Sequence, residues 1–140
     1  MRKQTTTPYT PDRTESLDSG DGTWSYLDIG KPVKLAGDVV SLCADGNEIY
    51  GFVRSVELGT KGGDYVGGVG CDAGVEFYGY DEDNDLAIGD LVIAGTPTAI
   101  GTAVGASGPN LDKASVVTPP AINRWMVMAI RNRKALVRRV

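Results

Sequence analysis

A chain of 140 residues with 41% apolar content is expected to form one domain around a single core. Its 19 glycines count against a helical bundle, because each glycine inside a helix costs about 1 kcal/mol relative to alanine, and favour a β-rich fold with tight turns. The formal charge of −4 is uneven: residues 1–123 hold 8 basic and 18 acidic groups, a net of −10, whereas residues 124–140 hold 6 basic groups and no acid. An acidic body of this kind excludes the basic stripe of a nucleic-acid binder.

Residues 1–27 are rich in Thr, Ser, Pro and Asp and poor in aliphatics. Such a segment buries too little apolar surface to offset its ordering entropy. It is predicted to be an arm, extended by Pro8 and Pro11, with Tyr9, Trp24 and Tyr26 as anchors for a partner or a neighbouring subunit. Residues 28–140 are predicted to be the folded domain, and their pattern changes to short apolar stretches broken by Gly, Asp and Asn.

"PVKLAG" and "DVVSLCADG" read as a strand pair around Gly37. "NEIYGFVRSVE" alternates, with Ile49, Gly51, Val53 and Ser55 on one side and Tyr50, Phe52, Arg54 and Val56 on the other. The glycine-dense "DYVGGVGCDAGVEFYGY" fits twisted or bulged strands. "GDLVIAG" and "PTAIGTAVGASG" continue the β pattern until Pro119 and Pro120 interrupt it. "NRWMVMAI", a polar turn at "RNRK" and "ALVRRV" close the chain as a hairpin. In its first strand Trp125, Val127 and Ala129 share one face, and Met126, Met128 and Ile130 the other. With both faces apolar, one is expected in the core, and the other under a partner or in the same core. The whole reads as an all-β chain: a small barrel or sandwich with an extended N-terminal arm.

The chain contains no histidine, which removes the commonest general base and the commonest metal ligand together. Ser41, Ser55 and Cys71 therefore have no imidazole to activate them, and no catalytic residue is assigned. "GVGCDA" at residues 68–73 matches a dinucleotide fingerprint literally, but strand-like sequence follows where a helix amino end is required. No cofactor is expected. In "YDEDNDLAIGD", Asp81, Asp83 and Asp85 match the first half of a calcium loop, yet Leu86 and Val92 occupy the positions that need Gly and Glu. The expectation is a polar turn without a metal, anchored to the core by Leu86 and Ile88. The alternative is a small barrel that binds calcium or another ligand through residues 81–85. Cys43 and Cys71 read as small buried residues. No apolar run is long enough to span a membrane and no apolar leader follows Met1, so a soluble, unexported protein is expected.

The order of short motifs, "GKPVKLAGD", "GNEIYGFV", "VGGVGCDAGVEFY", "LAIGDLVIAG" and the closing "WMVMAI…ALVRRV", resembles head decoration (capsid cement) proteins of tailed bacteriophages. Ile49, Gly51 and Val53 match one motif of that family, and Ala87, Ile88, Gly89, Asp90 and Val92 match another with a shorter spacing between Ile and Gly. The resemblance spans about residues 30–140. It implies a β-barrel or "tulip" module, often a trimer, that binds the major capsid protein on the outside of an expanded head. It also implies an N-terminal arm lying along the shell, and no catalytic residues. The longer "ASGPNLDKASVVTPP" insertion departs from the family pattern. On this reading Tyr9, Trp24 and Tyr26 anchor the arm, while Arg131, Arg133 and Lys134 form a second capsid contact. The protein is made in the host cytoplasm and ends on the virion, without nucleic-acid or membrane partners.

Overall fold

β-Branched and aromatic residues, separated by glycine or Asn/Asp turns, form ten strands among the described residues of the computed structural model. It describes residues 14–18, 28–37, 39–58, 65–71, 74, 76–96 and 109–140. The strands are β1 (Thr14–Asp18), β2 (Pro32–Ala36), β3 (Val39–Leu42), β4 (Gly51–Leu58) and β5 (Tyr65–Gly70), then β6 (Glu76–Asp81), β7 (Leu91–Ala94), β8 (Asn110–Lys113), β9 (Trp125–Arg131) and β10 (Lys134–Arg139). There is no α-helix among the described residues.

The first five strands form an antiparallel sheet in the order β1-β5-β4-β2-β3, whose outer strands β1 and β3 approach each other. The last five close into a barrel, β10-β6-β8-β7-β9, in which only β6 and β8 run parallel. Closure removes the unpaired edges that an open five-stranded sheet would present. Inside the barrel, β6 passes so close to β8 that a Cβ on Gly79 would lie 2.2 Å from Leu111 Cδ1. Only glycine leaves room there for the buried leucine.

Two apolar clusters share β4. Phe52 faces the barrel core with Ile49, Leu111, Trp125, Val127 and Val137, while the next residue, Val53, packs with Val33, Val40, Val69 and Cys71 in the sheet. Successive strand residues point to opposite faces, so one strand serves both cores. The junction is aromatic: Phe52 stacks on Phe77 at 4.5 Å between ring centroids and meets Trp125 edge-on at 4.9 Å. Trp125 is fully buried and donates its indole N–H to the Ile49 carbonyl at 3.1 Å.

Two bulges break the alternation read from the sequence. In β4 the register against β5 shifts between Val53 and Ser55, leaving Arg54 as the extra residue. Val56, expected opposite Val53, therefore packs against the same cluster. In β9, Val127 pairs with Val137 but Ala129 pairs with Leu136, which makes Met128 the extra residue. After it the faces exchange: Ile130 packs on the core and Ala129 is exposed. A one-residue insertion inverts every side chain beyond it, and period-two reading carries no signal of where that happens. The β9–β10 turn is a two-residue loop, Asn132-Arg133, with both φ angles positive at 51° and 63°. That is the turn whose twist matches antiparallel strands.

Candidate functional site

The acidic loop after β6 is held together by its first carboxylate. Asp81 is 2% exposed; Oδ1 accepts the Asp85 amide at 3.1 Å and Oδ2 accepts the Leu86 amide at 3.2 Å. Both oxygens thus cap backbone donors of their own loop, the Asx behaviour expected of aspartate in turns. Arg133 clamps the same loop from the β9–β10 turn. Its Nε and Nη2 donate to the Asp81 carbonyl at 3.1 and 3.0 Å, and Nη2 also donates to the Glu82 carbonyl. The guanidinium lies 4.7 Å from the Tyr80 ring centroid. These bonds account for an arginine in a left-handed conformation that non-glycine residues seldom adopt. Leu86 is buried as the expected anchor, but Ile88 is 71% exposed. The Gly89 amide bonds the Val127 carbonyl at 2.8 Å, so the backbone, not the Ile88 side chain, fixes this end of the loop.

Carboxylates do gather, though not at residues 81, 83 and 85. Asp45 from the β3–β4 turn, Glu82 after β6 and Asp112 on β8 bring oxygens within 4.8 Å of one another. Desolvation, reinforced by the hydrogen bond and negative charge of Glu82 and by Asp45 and Asp83, pushes the Asp112 carboxyl up to about 7. Desolvation opposes ionisation of Glu82 too. Hydrogen bonds from Thr96 and from Asp112 outweigh it and leave Glu82 below its ordinary value. Of the pair, Asp112 is therefore the carboxyl that holds a proton more readily, and its buried Oδ1 has no hydrogen-bond partner among the described residues. The backbone brings these elements together: Gly46 donates to Ala94 at 2.8 Å, and Ala94 to Asn47 at 3.0 Å. Pairing between residues so distant in the chain leaves no local motif.

The basic residues of the terminal hairpin separate into two kinds. Arg133 is half-buried and committed to the acidic loop, whereas Arg131 and Lys134 are exposed. Pairing registers define the outer barrel face around them. One row runs Tyr80, Lys134, Arg131; the next Tyr78, Leu136, Ala129; the third Glu76, Arg138, Met126. The middle row is apolar. Tyr78 is 54% exposed, Leu136 is half-buried, and the bulged Met128 extends the stripe at 36% exposure. Lys134 lies over the Tyr78 ring at 4.4 Å, and Arg138 bonds Glu76. An apolar centre between charged rows is the anatomy of a protein-binding surface.

A second apolar feature is the β8–β9 connection, where Val116, Val117 and Ile122 are 95%, 84% and 81% exposed. Ser115 Oγ accepts the Val117 and Thr118 amides at 3.2 and 3.3 Å, and Glu48 Oε1 accepts those of Ile122 and Asn123 at 2.8 and 2.6 Å. The expected arm anchors Tyr9, Trp24 and Tyr26 lie outside the described residues. Both cysteines are buried and form no disulfide; burial pushes the Cys43 thiol up to about 12, against a smaller opposing pull from Lys34. Among the described residues no helix is long and apolar enough to cross a membrane. No protein-family model, curated protein or solved structure matches this chain.

Proposed function

We propose that this chain is a non-enzymatic decoration protein of a tailed-phage head, binding the major capsid protein on the outside of the expanded shell. The observation that carries the reading is the outer face of β6, β10 and β9. Its exposed apolar row sits between charged rows on the closed barrel, which suits attachment to another protein. The motif order that resembles capsid cement proteins supplies the shell as that protein. Selective attachment to one state of the shell stabilises that state by mass action, and many weakly held copies add up across a lattice. The arm, with Tyr9, Trp24 and Tyr26, gives a second attachment, and self-association as a trimer multiplies both.

Undecorated expanded heads mixed with full-length protein and sedimented test the reading directly. Protein left in the supernatant at saturating head concentration overturns it. Replacing Tyr9, Trp24 and Tyr26 together by alanine, which leaves β1 paired with β5, is expected to weaken retention, and equal retention removes these anchors from the mechanism. Sedimentation equilibrium of the free protein checks the trimer.

A further inference from the structure

We propose that the outer face of β6, β10 and β9 is a docking surface for a protein segment that presents carboxylates around an apolar side chain, an inference that rests on the decoration reading and names its partner chemistry. The argument starts from charge. The whole chain carries −4, and every one of its 18 acidic residues lies within residues 1–123. This face nevertheless gathers Arg131, Lys134 and Arg138 against the single carboxylate of Glu76, a local balance of 3 − 1 = +2. Arg138 and Glu76 bond each other, so among the described residues the charges of this face without an ionic partner are Arg131 and Lys134, on the row beside Tyr78 and Leu136. A cationic border on an acidic molecule selects an acidic surface and repels a second basic one.

The centre narrows the partner further. Tyr78 is exposed by 54% and held under the Lys134 ammonium, so an aromatic anchor and its neighbouring cation are already positioned together. Tyrosine and arginine are residue types that carry much of the binding energy in protein interfaces, and Arg131 stands on the row next to Tyr78. A nucleic acid fits poorly. The two exposed cations Arg131 and Lys134 neutralise few phosphates, and the acidic remainder of the chain opposes a polyanion. The partner is therefore a protein segment rather than a duplex or single strand.

The probe is a random glutamate–tyrosine copolymer, titrated into isotopically labelled protein at low salt, with polyglutamate and duplex DNA as comparisons. The copolymer is expected to shift the amides of Tyr78, Leu136 and Lys134 and to bind more tightly than polyglutamate. The pair Arg131→Glu/Lys134→Glu and the single Tyr78→Ala are each expected to weaken it by about tenfold or more. Val116→Ser, on the exposed β8–β9 connection, is expected to leave binding unchanged. Thermal melts identify any variant that fails to fold, and Arg131 and Lys134 are exposed enough that the charge-reversed pair keeps the test intact. Shifts confined to other surfaces, copolymer binding untouched by the face variants, or tighter binding of DNA through the same residues overturns the docking surface. Expanded heads separate the two proposals. Heads that retain the wild type and both face variants alike overturn the docking surface and leave the decoration reading standing. Heads that never retain the wild type overturn the decoration reading, while the copolymer titration still decides the surface.

Discussion

Replacing Asp81 by asparagine separates a structural carboxylate from a calcium ligand. In the folded chain each carboxylate oxygen accepts one amide, from Asp85 at 3.1 Å and from Leu86 at 3.2 Å, and the residue is 2% exposed. Asparagine keeps one acceptor and turns an N–H group towards the other amide. One charge-assisted bond is lost and one buried amide is left without a partner. The first loss is worth about 1.5–3 kcal/mol, and a net cost of about 2–3 kcal/mol follows once asparagine's remaining bond is counted. For a chain of this length that lowers the melting temperature by roughly 6–12 °C. The assay is a circular-dichroism melt of wild type and Asp81→Asn, each in chelator and in millimolar calcium. The expected result is the same drop in both buffers and a wild-type melting temperature indifferent to calcium. A variant that melts within about 2 °C of wild type in chelator refutes the capping argument. A drop that appears only in calcium refutes it in favour of the cation-binding alternative.

Three further substitutions probe the frame around that loop. Gly79→Ala drives a methyl to within 2.2 Å of Leu111 Cδ1 in the barrel interior and is expected to destabilise by about 1–3 kcal/mol in urea unfolding. Trp125→Phe removes the donor to the Ile49 carbonyl and part of the aromatic junction, with an expected cost of about 2–4 kcal/mol by the same measurement. Asp112 titrates near 7 in the folded chain against about 3.9 for a free carboxyl, so the folded state holds the extra proton between those values. Its contribution to stability is complete below about pH 4 and disappears as pH rises through about 7. Asp112→Asn is expected to abolish this part of the pH dependence and to melt at or above the wild type at pH 8. Glu82, held below its ordinary value against desolvation by its Thr96 and Asp112 bonds, works in the opposite sense, its contribution being lost as the pH falls.

The all-β architecture was legible because its signals are local. Gly37, Asn132 and the Gly-Asp pair at 89–90 mark turns, and the apolar stretches between them have strand length. The terminal hairpin falls where the polar "RNRK" places it, with its two central residues in the turn. Sheet membership was not legible. Nothing in residues 51–58 says that Phe52 belongs to the barrel core and Val53 to the other sheet, because the alternation of one strand is the same whether one core or two lie against it. The bulges at Arg54 and Met128 escaped for a related reason. Each is defined by a count of residues on the partner strand, and the partner is known only after folding.

The same distinction governs the site. Arg131, Arg133 and Lys134 look equivalent in sequence, as three cations around one turn. Their roles diverge because the β9–β10 turn packs beside the end of β6, so that Arg133 meets the carbonyls of Asp81 and Glu82 while its neighbours stay in solvent. The acidic run is resolved by the same packing. Asp81 spends its carboxylate on its own loop, and Glu82, which the aspartate pattern passes over, is the residue that joins Asp45 and Asp112. Charge counted along the chain found the basic terminus. Only strand pairing separates the cation that holds a loop from those that border Tyr78, because a guanidinium bonded to buried carbonyls is withdrawn from any partner. Exposed charge next to an exposed aromatic, and not charge alone, is therefore the feature of this hairpin that a partner can read.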